Sequence, residues 1–185
     1  MRQSVILEKS PRLLNHGPTV LVSSAHADKK NVMAASWSMT LDFSPPKVAV
    51  VIESSSFTRE LIDKEGTFAL NIPTRQLAEV TLKVGHNSGR EMDKFKEFNI
   101  NYFKAEKINA PLIEGCVGWL ECKVIQEPHN QNEYDLFIGE IIAAHADDRA
   151  FKNGRWIQMP HELNTLHYVA GGAFFVASEM IEVKD

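Results

Sequence analysis

The sequence predicts a mainly β fold, a closed antiparallel barrel carrying a few short helices, and three observations point to it. Six or seven strand-like runs are interspersed with only two or three brief helical stretches, so the strict alternation of a doubly wound sheet is missing. Residues 115–126 and 134–145 are long alternating segments around the turn-rich Glu127-Pro128-His129-Asn130-Gln131-Asn132, which is a hairpin pattern. Pro45 and Pro46 cannot donate to a ladder and mark a break or sheet edge between two strands.

In chain order, residues 19–24 read as a short strand, followed by a polar turn at Asp28-Lys29-Lys30-Asn31. Residues 33–41 read as one strand. Its alternation puts Ala34, Ser36, Ser38 and Thr40 on one face and Ala35, Trp37, Met39 and Leu41 on the other. Residues 47–53 form a β-branched, buried strand. Residues 57–64 suit a short helix with Ser56 as N-cap and Gly66 as its stop. A strand over 67–72 is closed by Pro73, and a helix over 76–84 ends at Gly85. Residues 85–90 are then a polar loop, and 92–98 a helical turn with Phe95 and Phe98 facing inward. Near the end come a turn at Asn153-Gly154, a polar stretch to Tyr168, and Gly171-Gly172.

The chain has 185 residues, is 44% apolar and 24% charged, and shows no internal repeat or long linker, so one domain over 1–185 is expected. A net charge of −4 without a dense Lys/Arg block argues against a nucleic-acid partner. The longest aliphatic run, 48–52, falls far short of the ~20 residues of a membrane span. Glu8 and Lys9 interrupt the apolar start, which argues against a signal peptide. Cys116 and Cys122 would lie roughly 20 Å apart on one strand, so two reduced cysteines in a cytoplasmic protein are expected.

Two clusters of hydroxyls suggest a cradle for an anion such as a phosphate. Ser36, Ser38 and Thr40 align on one strand face, which also suits a solvent-facing polar stripe. Ser54, Ser55, Ser56, Thr58 and Arg59 surround a helix start, which also suits an ordinary cap and loop. A helix N-terminus with free N–H groups, hydroxyls and a guanidinium is a good phosphate seat. His161 and His167 match no zinc spacing, and Gly85-x-x-x-Gly89 follows a helix instead of opening one after a strand, so neither a metal site nor a dinucleotide fingerprint is expected.

The ordered motifs N-x-M-x-A-S-W (Asn31 to Trp37), S-P-P-x-V, S-S-x-T-R, F-A-L-N-I-P, GHNSGREMDKF (Gly85 to Phe95) and LHYVAGGAF (Leu166 to Phe174) resemble the flavin reductase-like family of FMN-binding split barrels. The branch containing flavoredoxin is the most similar. The resemblance implies a Greek-key antiparallel split barrel and a homodimer holding FMN near its interface. It places Ala35, Ser36, Trp37, Ser38, Met39 and Thr40 along the flavin, and Ser54, Ser56, Thr58 and Arg59 on its phosphate. Asn71 would contact the ring, Ser88, Arg90, Asp93 and Lys94 would approach ring or phosphate, and Phe174 would cover the flavin. Trp37 also has a plain core reading, since it shares a face with Met39 and Leu41.

The function implied is an oxidoreductase that passes electrons from NAD(P)H, or from a redox partner protein, through FMN. No acid–base catalytic residue is then required, because the redox chemistry belongs to the flavin. The alternatives are a non-catalytic FMN electron carrier, or a split-barrel protein built around another phosphate-bearing cofactor.

Overall fold

A computed structural model describes residues 2–14 and 17–183; Met1, Asn15, His16, Lys184 and Asp185 lie outside it. Strand β1 (Arg2–Ser4) and a 3-10 segment (Leu7–Leu14) precede β2 (Val20–His26), β3 (Lys29–Ala35), β4 (Ser38–Phe43) and β5 (Pro46–Val51). Helix α1 (Phe57–Glu65), β6 (Thr67–Pro73), α2 (Ala78–His86) and α3 (Lys94–Glu97) follow. Two short strands, β7 (Tyr102–Phe103) and β8 (Leu112–Ile113), lead to β9 (Cys116–Ile125), α4 (Pro128–Glu133) and β10 (Leu136–Asp147). The chain closes with the small hairpins β11 (Phe151–Lys152)/β12 (Arg155–Trp156) and β13 (Leu166–Ala170)/β14 (Ala173–Val176).

The main sheet is antiparallel, ordered β3-β2-β6-β9-β10-β5-β4, with β1 also pairing on β10. Strands β3 and β4 lie at opposite ends of that order, yet only Ser36 and Trp37 connect them. The sheet must therefore curl until its two ends meet, which makes a barrel closed by chain connection but split in its hydrogen bonding. Long β10 allows the curl: a bulge between Ile141 and Ala143 bends it, so its first half pairs with β5 and its last residues with β1. Inside lie Val20, Val22, Val50, Phe68, Leu70, Leu120 and Phe137. Outside, Leu21, Val32, Ala69, Val84, Phe95 and Trp119 form a second layer that seats α2 and α3. Residues 20, 21 and 22 thus face in, out and in, the strand period expected of a wall covered on both sides.

Several expected elements shift. The strand expected over 33–41 is two strands broken at Ser36-Trp37, and Lys29 and Lys30 belong to β3 rather than to a turn. Residues 128–133 coil into α4 between β9 and β10, and α2 runs through Gly85 to His86. Helix α1 has the expected punctuation: the Ser56 side chain accepts from Arg59 N–H, and Gly66 closes the helix at φ 74°. Both cysteines are free and buried, and burial pushes each thiol up. Among the described residues, no helix is long and apolar enough to cross a membrane.

Candidate functional site

A groove follows β3 where the barrel is split, and it has three adjoining compartments. The first, about 260 Å³, lies between the start of α1, the end of α2 and the loop after it, and is lined by Asn31, Ser55, Ser56, Thr58, Ser88 and Lys94 among others. The second is a slot of about 180 Å³ between β3, α2 and the β13/β14 hairpin, lined by Ala34, Ser36, Thr81, Leu82, His86, Tyr168 and Phe174. The third is an open bay of about 500 Å³ bounded by Met33, Ala35, Trp37, Glu53 and Asp135. Gly85 and His86 belong to the first two compartments, and Met33 and Glu53 to the first and third.

The first compartment holds a buried cation, with Glu53 also on its lining. Lys94 is only 3% exposed, and its Nζ donates to Val32 O (2.9 Å) and Val84 O (2.7 Å). These acceptors are neutral carbonyls, so the ammonium has no carboxylate to balance it in this hydrogen-bond set. Burial pulls it down from 10.5 to about 8. Asp93 caps α3 through Phe95 N–H and Lys96 N–H, which fixes the backbone that carries Lys94. Thr58 Oγ1 accepts from Asn31 Nδ2 at 2.9 Å, and Ser56 Oγ accepts from Arg59 N–H at 3.1 Å. A hydroxyl that accepts in this way still has its own proton to donate.

The slot has a different character. Its walls are Leu82, Tyr168 and Phe174, the two aromatics meeting edge to face at 5.4 Å. Thr81 is 1% exposed, and its Oγ1 is buried with no hydrogen-bond partner among the described residues. A buried hydroxyl without a partner is costly, and one lining a slot suits a ligand that brings a polar atom.

The sequence-derived residues divide between the groove and other places. Ala35, Ser36, Trp37, Ser56, Thr58, Ser88, Lys94 and Phe174 all line it. Ser38, Met39 and Thr40 lie past the split on β4, and Ser54 is exposed outside; none of the four lines these compartments. Arg59 is committed elsewhere. Its guanidinium pairs with Asp63 (3.0 Å) and Asp135 (3.1 Å) and stacks over Phe137, so it braces α1 against β10. Asn71 is fully buried in the wall, donating to Leu21 O and Ser23 Oγ and accepting from Ile113 N–H. It is a sheet fastener rather than a ring contact. Asn71→Ala is expected to cost about 3 kcal/mol of stability by stranding those partners, read as a lower Tm.

Trp37 overturns its core reading, being 73% exposed. Asn31, Met33 and His86 also line the groove; they fall within the family-like motifs, but residue type alone assigns them no role. Thr81 and Leu82 carry no sequence signal, since they look like ordinary helix positions.

The fold is a split barrel, and residues 13–174 match the flavin reductase like domain. The chain belongs to the flavin reductase-like family. It is 41% identical over 178 residues to YddH, an uncharacterized protein of Escherichia coli K12, covering 95% of this chain and 94% of that one. An FMN-binding domain of a flavin reductases-like enzyme from Shewanella baltica OS155 superposes with a TM-score of 0.96 at 41% identity, over 100% of this chain and 98% of that one. Flavoredoxin of Desulfovibrio vulgaris (Miyazaki F) shares the fold, with a TM-score of 0.79 at 24% identity over 90% of each chain. A more distant relative, an NADH-dependent FAD reductase of Streptomyces globisporus, is 25% identical over 135 residues, 72% of each chain.

Proposed function

We propose that the protein is an FMN-binding oxidoreductase of flavin reductase or flavoredoxin type, taking electrons from NAD(P)H or a redox partner protein. The observation that carries this reading is the pairing, along one strand, of a buried Lys94 ammonium hydrogen-bonded only to neutral carbonyls with a slot holding the unpartnered Thr81 hydroxyl. The groove suits a molecule with a dianionic end and a flat, mostly apolar body that carries a few polar atoms. The FMN binding stated for the Shewanella baltica relative supports that choice of ligand.

In this reading Lys94, Ser56, Thr58 and Ser88 hold the phosphate, while Ala35, Ser36, Trp37, Thr81 and Phe174 flank the ring. The flavin, when bound, supplies the two-electron chemistry. The chain's own residues orient it, balance its charge and keep water from the slot. Ser56→Ala with Thr58→Ala is expected to weaken FMN binding by about 2–3 kcal/mol, measured by fluorescence titration, because hydroxyl bonds to a phosphate are charge-assisted. Part of any stability loss in that double variant, about 1 kcal/mol, would come from the lost α1 cap.

A homodimer completes this reading. The first half of β4 is inside out: Ser38 and Thr40 are half-buried, whereas Met39 and Leu41 are 57% and 47% exposed, up to a bulge between Thr40 and Asp42. This apolar stripe starts at Trp37, which also edges the bay, so a second copy seated on β4 would also roof the groove.

One assay tests the function. The purified protein is titrated with FMN, and NADH and NADPH oxidation is followed with and without added FMN. The expected result is FMN binding with flavin-dependent NAD(P)H oxidation. Tight stoichiometric FMN with negligible oxidation would make the protein an electron carrier, and no FMN binding would overturn both readings.

A further inference from the structure

We propose that His86 is the counter-charge for the reduced flavin, its imidazolium standing at the N1 edge of the ring, where negative charge gathers on two-electron reduction. The inference rests on the FMN reading and goes beyond it, to how the chain sets the redox balance of the ring.

Helix α2 offers the groove one face. Thr81, Leu82, Gly85 and His86 all line the slot, at the i, i+1, i+4 and i+5 spacing of neighbours on one side of a helix. Gly85 lets that face come close to β3, since a Cβ there would already meet the Ala34 Cβ at 3.4 Å. His86 is the last residue of α2 and, with Gly85, lines both the slot and the Lys94 compartment. Thr81 lies five residues earlier, about 7.5 Å back along the helix axis. A ligand running from the phosphate seat into the slot therefore meets His86 first and Thr81 beyond it.

The chain to the phosphate leaves a flavin ring at N10. A group at the junction of the two compartments thus flanks either N1, on the polar pyrimidine half, or C9, on the apolar benzenoid half. Thr81 decides between them. Its buried hydroxyl has no partner among the described residues, and only the pyrimidine half, with its carbonyls and ring nitrogens, can supply one. With that half against α2, N1 faces His86. Two-electron reduction adds two electrons and one proton, the proton at N5, and leaves a negative charge at N1.

The surrounding charges leave this position to His86. Besides it, the two linings carry three titratable side chains, Lys94, Glu53 and Tyr168. Lys94 is tied to Val32 O and Val84 O in the phosphate compartment, and the exposed Glu53 has the wrong sign. Tyr168 stands on the hairpin wall, and its neighbour His167 does not line the slot. Lys83 on α2 pairs with Glu79, Arg75 on the preceding turn bonds His161, and Lys30 on β3 donates to the Tyr102 hydroxyl. The C-terminal end of a helix favours a cation, and histidine is the side chain whose charge changes near neutral pH.

The test is the two-electron potential of bound FMN at pH 6.0 and 7.5, by dithionite titration against a reference dye, for the wild type, His86→Gln and His86→Lys. Both pH values lie below about 8, where Lys94 releases its proton. At pH 6.0, His86→Gln is expected to lower the affinity for reduced relative to oxidised FMN about tenfold, a potential about 30 mV more negative. At pH 7.5 the gap should shrink to threefold or less. His86→Lys, which keeps a positive charge at both pH values, should show no such loss at either. Oxidised FMN should bind all three proteins within threefold. Equal loss of both redox forms in His86→Gln would make His86 a contact to the phosphate or its chain, and would overturn the proposal while leaving FMN binding intact. So would a gap unchanged between the two pH values, or a His86→Lys potential as low as that of His86→Gln. A wild type that binds no FMN would overturn the FMN reading itself and this inference with it.

Discussion

Replacing Lys94 with methionine is expected to weaken FMN binding by about 2–3 kcal/mol, roughly 30- to 150-fold, the largest single-residue loss in the groove. Methionine keeps the length and apolar stem but removes the charge that Val32 O and Val84 O hold in place. The same residue sets a pH dependence. An anionic phosphate favours the charged ammonium, so wild-type FMN affinity should fall as pH rises above about 8, where free-protein Lys94 loses its proton. The Lys94→Met protein should show no such fall.

Stability of the ligand-free protein runs in the opposite direction. Between about 8 and 10.5 the unfolded chain keeps a proton on Lys94 that the folded chain has released. Lys94 therefore contributes stability that rises with pH across that window. Denaturant titrations of wild type and Lys94→Met at pH 7.5 and 9.5 isolate the effect as a difference between the two proteins.

The second large effect is on assembly. Met39→Glu combined with Leu41→Glu is expected to turn a dimer into a monomer, read by sedimentation equilibrium. In a homodimer both copies would carry the two glutamates, so four carboxylates would meet across a covered apolar face whose remaining member, Trp37, supplies no counter-charge. FMN affinity should fall with the dimer, because the bay edged by Trp37 would lose its roof. A double variant that remains dimeric would place the interface elsewhere and leave the exposed face of β4 unexplained.

Much of the barrel was legible because its signals are local. Ser56 and Gly66 bracket α1 as a cap and a left-handed stop, and the alternation of 115–126 and 134–145 gives the β9/β10 hairpin. The break at Ser36-Trp37 was not legible, since alternation continues unbroken through it and only the closure of the sheet forces a corner there. Strand β4 misled for a related reason. Its apolar face reads as core in one chain, but that face is exposed, with only its hydroxyl face half-buried.

The candidate site was legible as motifs more than as roles. Arg59 and Asn71 looked like ligand contacts because a guanidinium and an amide suit phosphate and ring. Their actual partners, Asp135 and Ile113, lie 76 and 42 residues away in sequence and could not be paired from spacing. Lys94 was named, but its importance lies in burial without a carboxylate in its hydrogen-bond set, which no sequence pattern displays. Thr81 is distinguished only by the burial of its unpartnered hydroxyl, which its sequence position does not display.

The central claim is that the groove along β3 grips a flavin through its phosphate. The most direct measurement compares FMN with riboflavin, which lacks only that phosphate, by titration of the flavin-free protein at pH 7. Binding of FMN about 100-fold or more tighter than riboflavin is the result the account predicts, a difference of about 2.7 kcal/mol. Equal affinity for the two, or binding of neither, would contradict it.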